Sequence, residues 1–310
     1  MHTPTLRTDA RVALSPVAVG LALVAFAALV MATTIALSRY ALKGSLSTAD
    51  LLAIRYGVGG VLFLPLLVRT WHTLPAFGRR AAVPLSFLHG WGMAGASLAG
   101  LAFAPASHAA ALGPGCLPVF LALFGFLAYR KTLPVPQCIG LAAITTGAVA
   151  LIAIAGSGSD ALAVTAGDTL FLVAAMLGAV YFVLVEHHRI PAVACNAVVM
   201  VVSGLVVVPA YLAFANSDIP SAPLREIAIQ VLFQGVLMSL AYLAVHKAVL
   251  LIGGARVTMI MAILPVLTLL AGRAIAGDGI TPAETLAIAT ISGGILYGAL
   301  WRLRRERAVG

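Results

Sequence analysis

An all-α polytopic membrane protein is the fold class the sequence predicts: ten transmembrane helices as two inverted five-helix repeats, with N- and C-termini cytoplasmic. Three observations predict it. Of 310 residues, 62% are hydrophobic and 9% charged, with mean hydropathy +1.07, where soluble domains carry about 25% charged residues. Ten apolar runs, each near the roughly 20 residues that cross about 30 Å of hydrocarbon, consume almost the whole chain. Shifted on itself by 147 positions, the sequence also matches its own second half: CLPVF (Cys116 to Phe120) meets ILPVL (Ile263 to Leu267), and GLAAITTGAVAL from Gly140 meets AIATISGGILYG from Ala287.

The spans follow in order. A cytoplasmic tail, 1–15, precedes the first run near 16–37. That run is longer than the 7 to 15 residues of a signal-peptide core and ends in TTIALSRYALKG without a small-residue cleavage site, so it reads as a span. The second and third, near 48–68 and 83–104, flank Arg69, Arg79 and Arg80. The fourth, near 107–128, interrupts itself at SHAAALGPGCLPVF, where Gly113, Pro114, Gly115 and Pro118 stand in place of a continuous helix and each Pro costs about 3 kcal/mol. The fifth, near 135–154, closes the first repeat, 16–155. A linker, 156–164, leads to the second repeat, 165–302, with runs near 168–187, 193–214, 227–249, 254–274 and 282–301, and then a basic cytoplasmic tail, 303–310. No gap holds a soluble domain.

Charge placement sets the orientation. With the N-terminus inside, internal segments receive Arg7, Arg11, Arg69, Arg79, Arg80, Arg130, Lys131, Arg189, Arg302, Arg304, Arg305 and Arg307, whereas the outside keeps mainly Lys43, Arg225 and Arg273. The net charge of +9 therefore reads as topology, with no call for nucleic acid. Five spans per half is an odd number, so the halves enter from opposite sides. Inverted repeats around a midplane site are a recurrent architecture of secondary transporters.

Polar groups inside a membrane are costly, so each is a site candidate. Gln234, Met238, Tyr242 and His246 recur every four residues on one face of span eight. The shift of 147 carries that stripe to Phe87, Trp91, Gly95 and Ala99, which selects Trp91; His89, about 200° round an ideal helix, reads as a packing histidine. The same shift pairs Thr34 with Tyr181, and Met31 shares a face with Thr34. His108 follows Ser107, a plausible N-cap at the outer start of span four, and is a candidate for binding a carboxylate or carrying a proton. Arg55 and Arg256 read as snorkelling or structural cations, with anion attraction by Arg256 as the alternative. Pro265 repeats Pro118, whereas GPG faces IMA at 260–262, which predicts a hinge in span four alone.

These residues resemble the EamA branch of the drug/metabolite transporter superfamily. AGDTLFLVAAMLGAVYFVLVEHHR (Ala166 to Arg189) is similar to its sixth span, LSTADLLAIRYGVGGVLFLPLL to its second with Arg55-Tyr56 as the Arg-aromatic pair, and LPVF and LPVL to the element of spans four and nine. Met31-Ala32 departs from the common Trp-Gly of span one. The usual closing Gly-Glu is replaced by Arg130-Lys131 and Gly277-Asp278. The resemblance implies a transporter of the inner or plasma membrane with a cavity lined chiefly by spans one, three, four, six, eight and nine, moving small metabolites such as amino acids, often outward.

The expected partners are a small-molecule substrate and the lipid bilayer, with protons a candidate coupling ion at His108; the sequence sets no oligomeric state. No cofactor or metal is expected. Cys116, Cys138 and Cys195 lack ligand spacing, and Glu186, His187 and His188 are consecutive, unlike H-E-x-x-H. An intramembrane enzyme or a nontransporting receptor is the alternative. Adjacent Ser107 and His108 cannot face each other as nucleophile and base, which disfavours the enzyme.

Overall fold

A computed structural model describes residues 15–157 and 160–309. Arg7 and Arg11, the tail up to residue 14, residues 158–159 of the linker, Gly310 and the side chains of Arg307 and Val309 lie outside the described residues. Among those described, every regular element is helical. In chain order the α-helices are α1 (Pro16–Lys43), α2 (Thr48–Thr70), α3 (Ala76–Arg80), α4 (Ala82–Ser86), α5 (Gly92–Phe103), α6 (Ala106–Leu112), α7 (Leu117–Tyr129) and α8 (Val135–Ala155). They continue with α9 (Ala161–His187), α10 (Ala192–Phe214), α11 (Leu224–Gln230), α12 (Met238–Ile252), α13 (Gly254–Met261), α14 (Leu264–Ala271) and α15 (Pro282–Val309).

Local chemistry sets the ends. Ser15 Oγ accepts from Ala18 N, and Pro16 starts α1 where a missing N–H costs nothing. Ser47 and Asp50 form a reciprocal capping box on α2, and Thr281 and Glu284 exchange the same two kinds of bond on α15.

Nine helical stretches among the described residues are long and apolar enough to cross a membrane. The expected third span is in pieces instead: α4, a π-helical turn over Phe87–Trp91, then α5. Gly90 is its break, at φ −103° and ψ −115°, packed so closely on α10 that a Cβ there would lie 2.1 Å from Ser203 Oγ. A second π-helical turn, Val231–Leu237, joins α11 to α12 at the position 147 residues on. Such wide turns add a residue to the helical circuit and shift the faces that follow.

The fourth span breaks at 113–116, as expected, but the hinge is not confined to it. The ninth also breaks, at Ala262 and Ile263 between α13 and α14. Pro118 and Pro265 explain both, because each occupies the second position of its helix, where its ring excludes continuation from the turn before. GPG only widens the first break: Gly113 reaches ψ −95°, and a Cβ on Gly115 would lie 2.0 Å from the carbonyl oxygen of Ala111.

The most extensive packing joins α8 with α15, α2 with α10, α1 with α12 and α5 with α9. Adding or subtracting 147 leaves the first two pairings unchanged and exchanges the last two. At the α8–α15 crossing this holds residue by residue. A Cβ on Gly147 would lie 2.7 Å from the oxygen of Ala287, and one on Gly294 would lie 2.6 Å from the oxygen of Gly140. These two contacts are one contact under the 147 shift. Large apolar side chains such as Val61, Leu127, Val149, Leu205 and Leu286 point outward, 61 to 72% exposed, a surface suited to hydrocarbon.

Candidate functional site

The predicted lining residues fall into three groups. Trp91 and Tyr242, both half-buried, pack with Tyr56, Phe63, Ala94 and Met200 in one cluster between α2, α5, α10 and α12. Trp91 Nε1 is sealed there without an acceptor. Tyr181 stacks on His89 with ring centroids 4.3 Å apart and donates its hydroxyl hydrogen to Cys195 Sγ at 3.2 Å. His246 lies within electrostatic reach of His89 and donates Nδ1–H to the Tyr242 carbonyl at 2.7 Å, which fixes its tautomer. His89 therefore packs against α9 at Tyr181 and Phe182, apart from the Trp91 cluster. The 100° step of an ideal helix does not hold through Phe87–Trp91.

A polar ladder forms the second group. Thr34, fully buried, donates Oγ1–H to Val30 O at 2.7 Å, and Ser38 donates to Thr34 O at 2.6 Å. Ser38 Oγ accepts from Gln234 Nε2 at 2.6 Å, and Gln234 Oε1 accepts from both Nε and Nη2 of Arg55. Thr34 thus spends its hydroxyl on its own helix. Arg55 does not snorkel: it is 8% exposed and ties α2 to the Val231–Leu237 turn and, through Gln234, to α1. Met31 is half-buried beside the junction of Ala32, Ala110 and Leu264, and Met238 is buried on the span-eight stripe.

His108 belongs to a third group, at the end of the bundle that carries Lys43. There His108 Nδ1–H donates to Asp168 Oδ1 at 2.8 Å, both side chains 1% exposed, and Nε2 lies 3.7 Å from Glu284 Oε1. Ser107 caps nothing. The Ala106 N–H at the start of α6 donates instead to Asp278 Oδ2 at 2.9 Å, because the loop after Ala276 brings that carboxylate over the helix end. Asp278 also takes Lys43 Nζ at 2.8 Å and lies 3.6 Å from Arg39 Nε. At the far end of α9, Lys131 Nζ donates to Glu186 Oε1 at 2.7 Å. Lys131 and Asp278 are 147 positions apart, and so are Arg39 and Glu186. The two ion pairs are equivalent, with their charges exchanged.

A helical chain that repeats itself at 147 residues and keeps its polar groups inside has a direct counterpart among known proteins. The sequence profile described as the EamA-like transporter family matches residues 18–153 and 165–298. This chain belongs to the EamA-like transporter family. As a member it is a multi-pass membrane protein, and its two family repeats are the two halves that the packing exchanges. A protein of known crystal structure is similar to this EamA-like chain in fold, with a TM-score of 0.60 over 93% of this chain and 97% of its own, at 19% identity. No curated protein matches. Arg256, at the head of α13 in this EamA-like fold, donates to Ile252 O at 3.2 Å, the local bond of a helix-end cation.

An apolar groove of about 350 Å³ runs between α2 and α12, lined by Leu62, Phe63, Leu66, Arg69, Leu240 and Leu243. Leu62 and Leu240 are about half exposed, so the groove opens on the outer surface of the bundle.

Proposed function

We propose that this protein is a secondary transporter exporting small metabolites, such as amino acids or related zwitterionic or anionic compounds, across the inner or plasma membrane by alternating access. The third hydrophobic segment serves as the tenth span, the halves 16–155 and 165–302 are inverted, and both termini lie in the cytoplasm. The exchanged ion pairs carry this reading. In an inverted repeat, alternating access amounts to the halves trading conformations, so a latch at one face should recur at the equivalent position of the other. Arg39 with Asp278, side chains 12% and 6% exposed, is the shut latch. Lys131 with Glu186, 51% and 71% exposed, is its solvent-exposed counterpart.

Recognition falls to Trp91, Tyr181, Tyr242 and His246, amphipathic rings suited to organic solutes. Cells overproducing the protein, challenged with toxic amino acids and analogues, should gain resistance to at least one. Trp91→Ala and Tyr242→Ala should remove the gain at equal protein level. Resistance that survives both substitutions overturns the site, and no resistance to any compound counts against export.

A further inference from the structure

Among the described residues, the guanidinium of Arg55 is a buried cation that no carboxylate meets. Burying a cation is expensive unless an opposite charge meets it, and a carboxylate is the usual answer. Among the described residues the ion pairs are those of Arg39 and Lys43 with Asp278, of His108 with Asp168 and Glu284, and of Lys131 with Glu186; none includes Arg55. Asp50, on the same helix, accepts from Ser47 and from Tyr211 Oη at 2.5 Å. Glu226, above Gln234, accepts from Ser45 Oγ at 2.8 Å. The cation is left with neutral partners, Gln234 Oε1, which two of its nitrogens share, and the adjacent Tyr56 hydroxyl.

A guanidinium has five N–H donors in a planar fork, so most of its capacity is unspent. Nη1 has no acceptor among the side-chain hydrogen bonds of Arg55 to Gln234. The next residue, Tyr56, lies within electrostatic reach of both Arg55 and Tyr242. Tyr56 and Tyr242 share their cluster with Trp91, whose Nε1–H lacks an acceptor. An unpaired cation, an unsatisfied indole donor and phenol rings therefore adjoin one another with no anion among them.

We infer that Arg55 is the anchor for a carboxylate of the transported molecule, gripping it through the free edge of the guanidinium while the Tyr56, Trp91 and Tyr242 rings receive the rest. The inference rests on the transporter reading and narrows it to organic carboxylates, amino acids included. Gln234 is the stand-in acceptor that holds the fork in place when no substrate is bound. Planar pairing of this kind selects a carboxylate over an amine or alcohol of the same shape.

The test is equilibrium binding by titration calorimetry to the purified full chain in detergent. The probes are L-leucine, L-phenylalanine and benzoate, set against isoamylamine, 2-phenylethylamine and benzyl alcohol, which lack the carboxylate. At least one carboxylate should bind about tenfold or more tightly than its partner, and Arg55→Gln should weaken it by about 10- to 100-fold while leaving the partner unchanged. Gln234→Ala separates an anchor from a merely structural cation: an anchor freed of its stand-in binds the carboxylate as tightly or more tightly, whereas loss of more than tenfold overturns the inference. Carboxylate binding unaffected by Arg55→Gln, or binding of the amines and alcohol alone, overturns it too and leaves transport standing. If none of the six probes binds and none is transported by proteoliposomes, the anchor and the exporter reading fall together.

Discussion

Asp278→Asn tests the latch most directly, because it removes a charge while keeping the shape. In the structure the carboxylate accepts from Lys43 Nζ at 2.8 Å and from Ala106 N at 2.9 Å, with Arg39 Nε at 3.6 Å. Hydrogen bonds with a charged partner are worth about 1.5–3 kcal/mol each and neutral ones about 0.5–1.5 kcal/mol. An amide in place of the carboxylate therefore forfeits about 1–1.5 kcal/mol at the Ala106 bond and about 0–1 kcal/mol at the partly exposed Lys43 pair, which keeps its cationic donor, or about 1–2.5 kcal/mol in all. If those bonds exist only when this face is shut, the open population rises about 5- to 60-fold.

The assay is the labelling rate of a thiol that only the open form exposes. Ala110, fully buried where α6 meets Ala32 of α1 and Leu264 of α14, is a suitable site. Ala110→Cys, with the three native cysteines replaced by alanine, is reacted with an impermeant maleimide from the Lys43 face. While the open form is minor, the rate follows its population. A rate within twofold of the parent, at unchanged thermal stability, refutes the latch.

The equivalent substitution at the other face should do far less. Lys131→Gln breaks an exposed pair worth about 0–1 kcal/mol, so accessibility from the Arg130 side should change by less than about fivefold, as read by the same chemistry. Gly147→Val should destabilise the detergent-solubilised protein by about 1–3 kcal/mol, because its Cβ would fall 2.7 Å from both Ala287 O and Ile291 Cγ1; an unchanged thermal midpoint would show that α8 and α15 do not touch there. Asp168→Ala removes the acceptor of the buried His108 Nδ1–H at a cost of about 1–3 kcal/mol, and retention of the parent's thermal midpoint would remove any structural role for the pair.

Fold and family were legible because hydrophobic length and a 147-residue echo survive any detail of packing. The cluster of Trp91 and Tyr242 was legible as well, from a four-residue stripe and its image in the other half. Three things were not. The stack of His89 on Tyr181 was hidden because a wheel of 100° steps cannot anticipate a π-helical turn, and Gly90, the residue that breaks the helix, is one of 30 glycines. Arg55 was read as a snorkelling or structural cation because its span was expected to lie at the periphery, and with Val202 at the shift of 147 no symmetry mate marked it; the cost of a charge within a span was the signal to follow. His108 meets Asp168 and Glu284 across 60 and 176 positions, and only the folded chain could bring them together.

The exchanged ion pairs have a bearing on how the molecule assembles. Arg39 and Lys131 both belong to the first repeat, while Glu186 and Asp278 both belong to the second. One half thus brings only cations to these two junctions and the other only anions. Two copies of the first half would set like charges against each other at both ends, and so would two copies of the second, so mispairing is penalised twice. Split at the linker and synthesised as separate chains, the halves should seek each other and refuse themselves. Whatever symmetry the two repeats keep in shape, their charges have made the partnership exclusive.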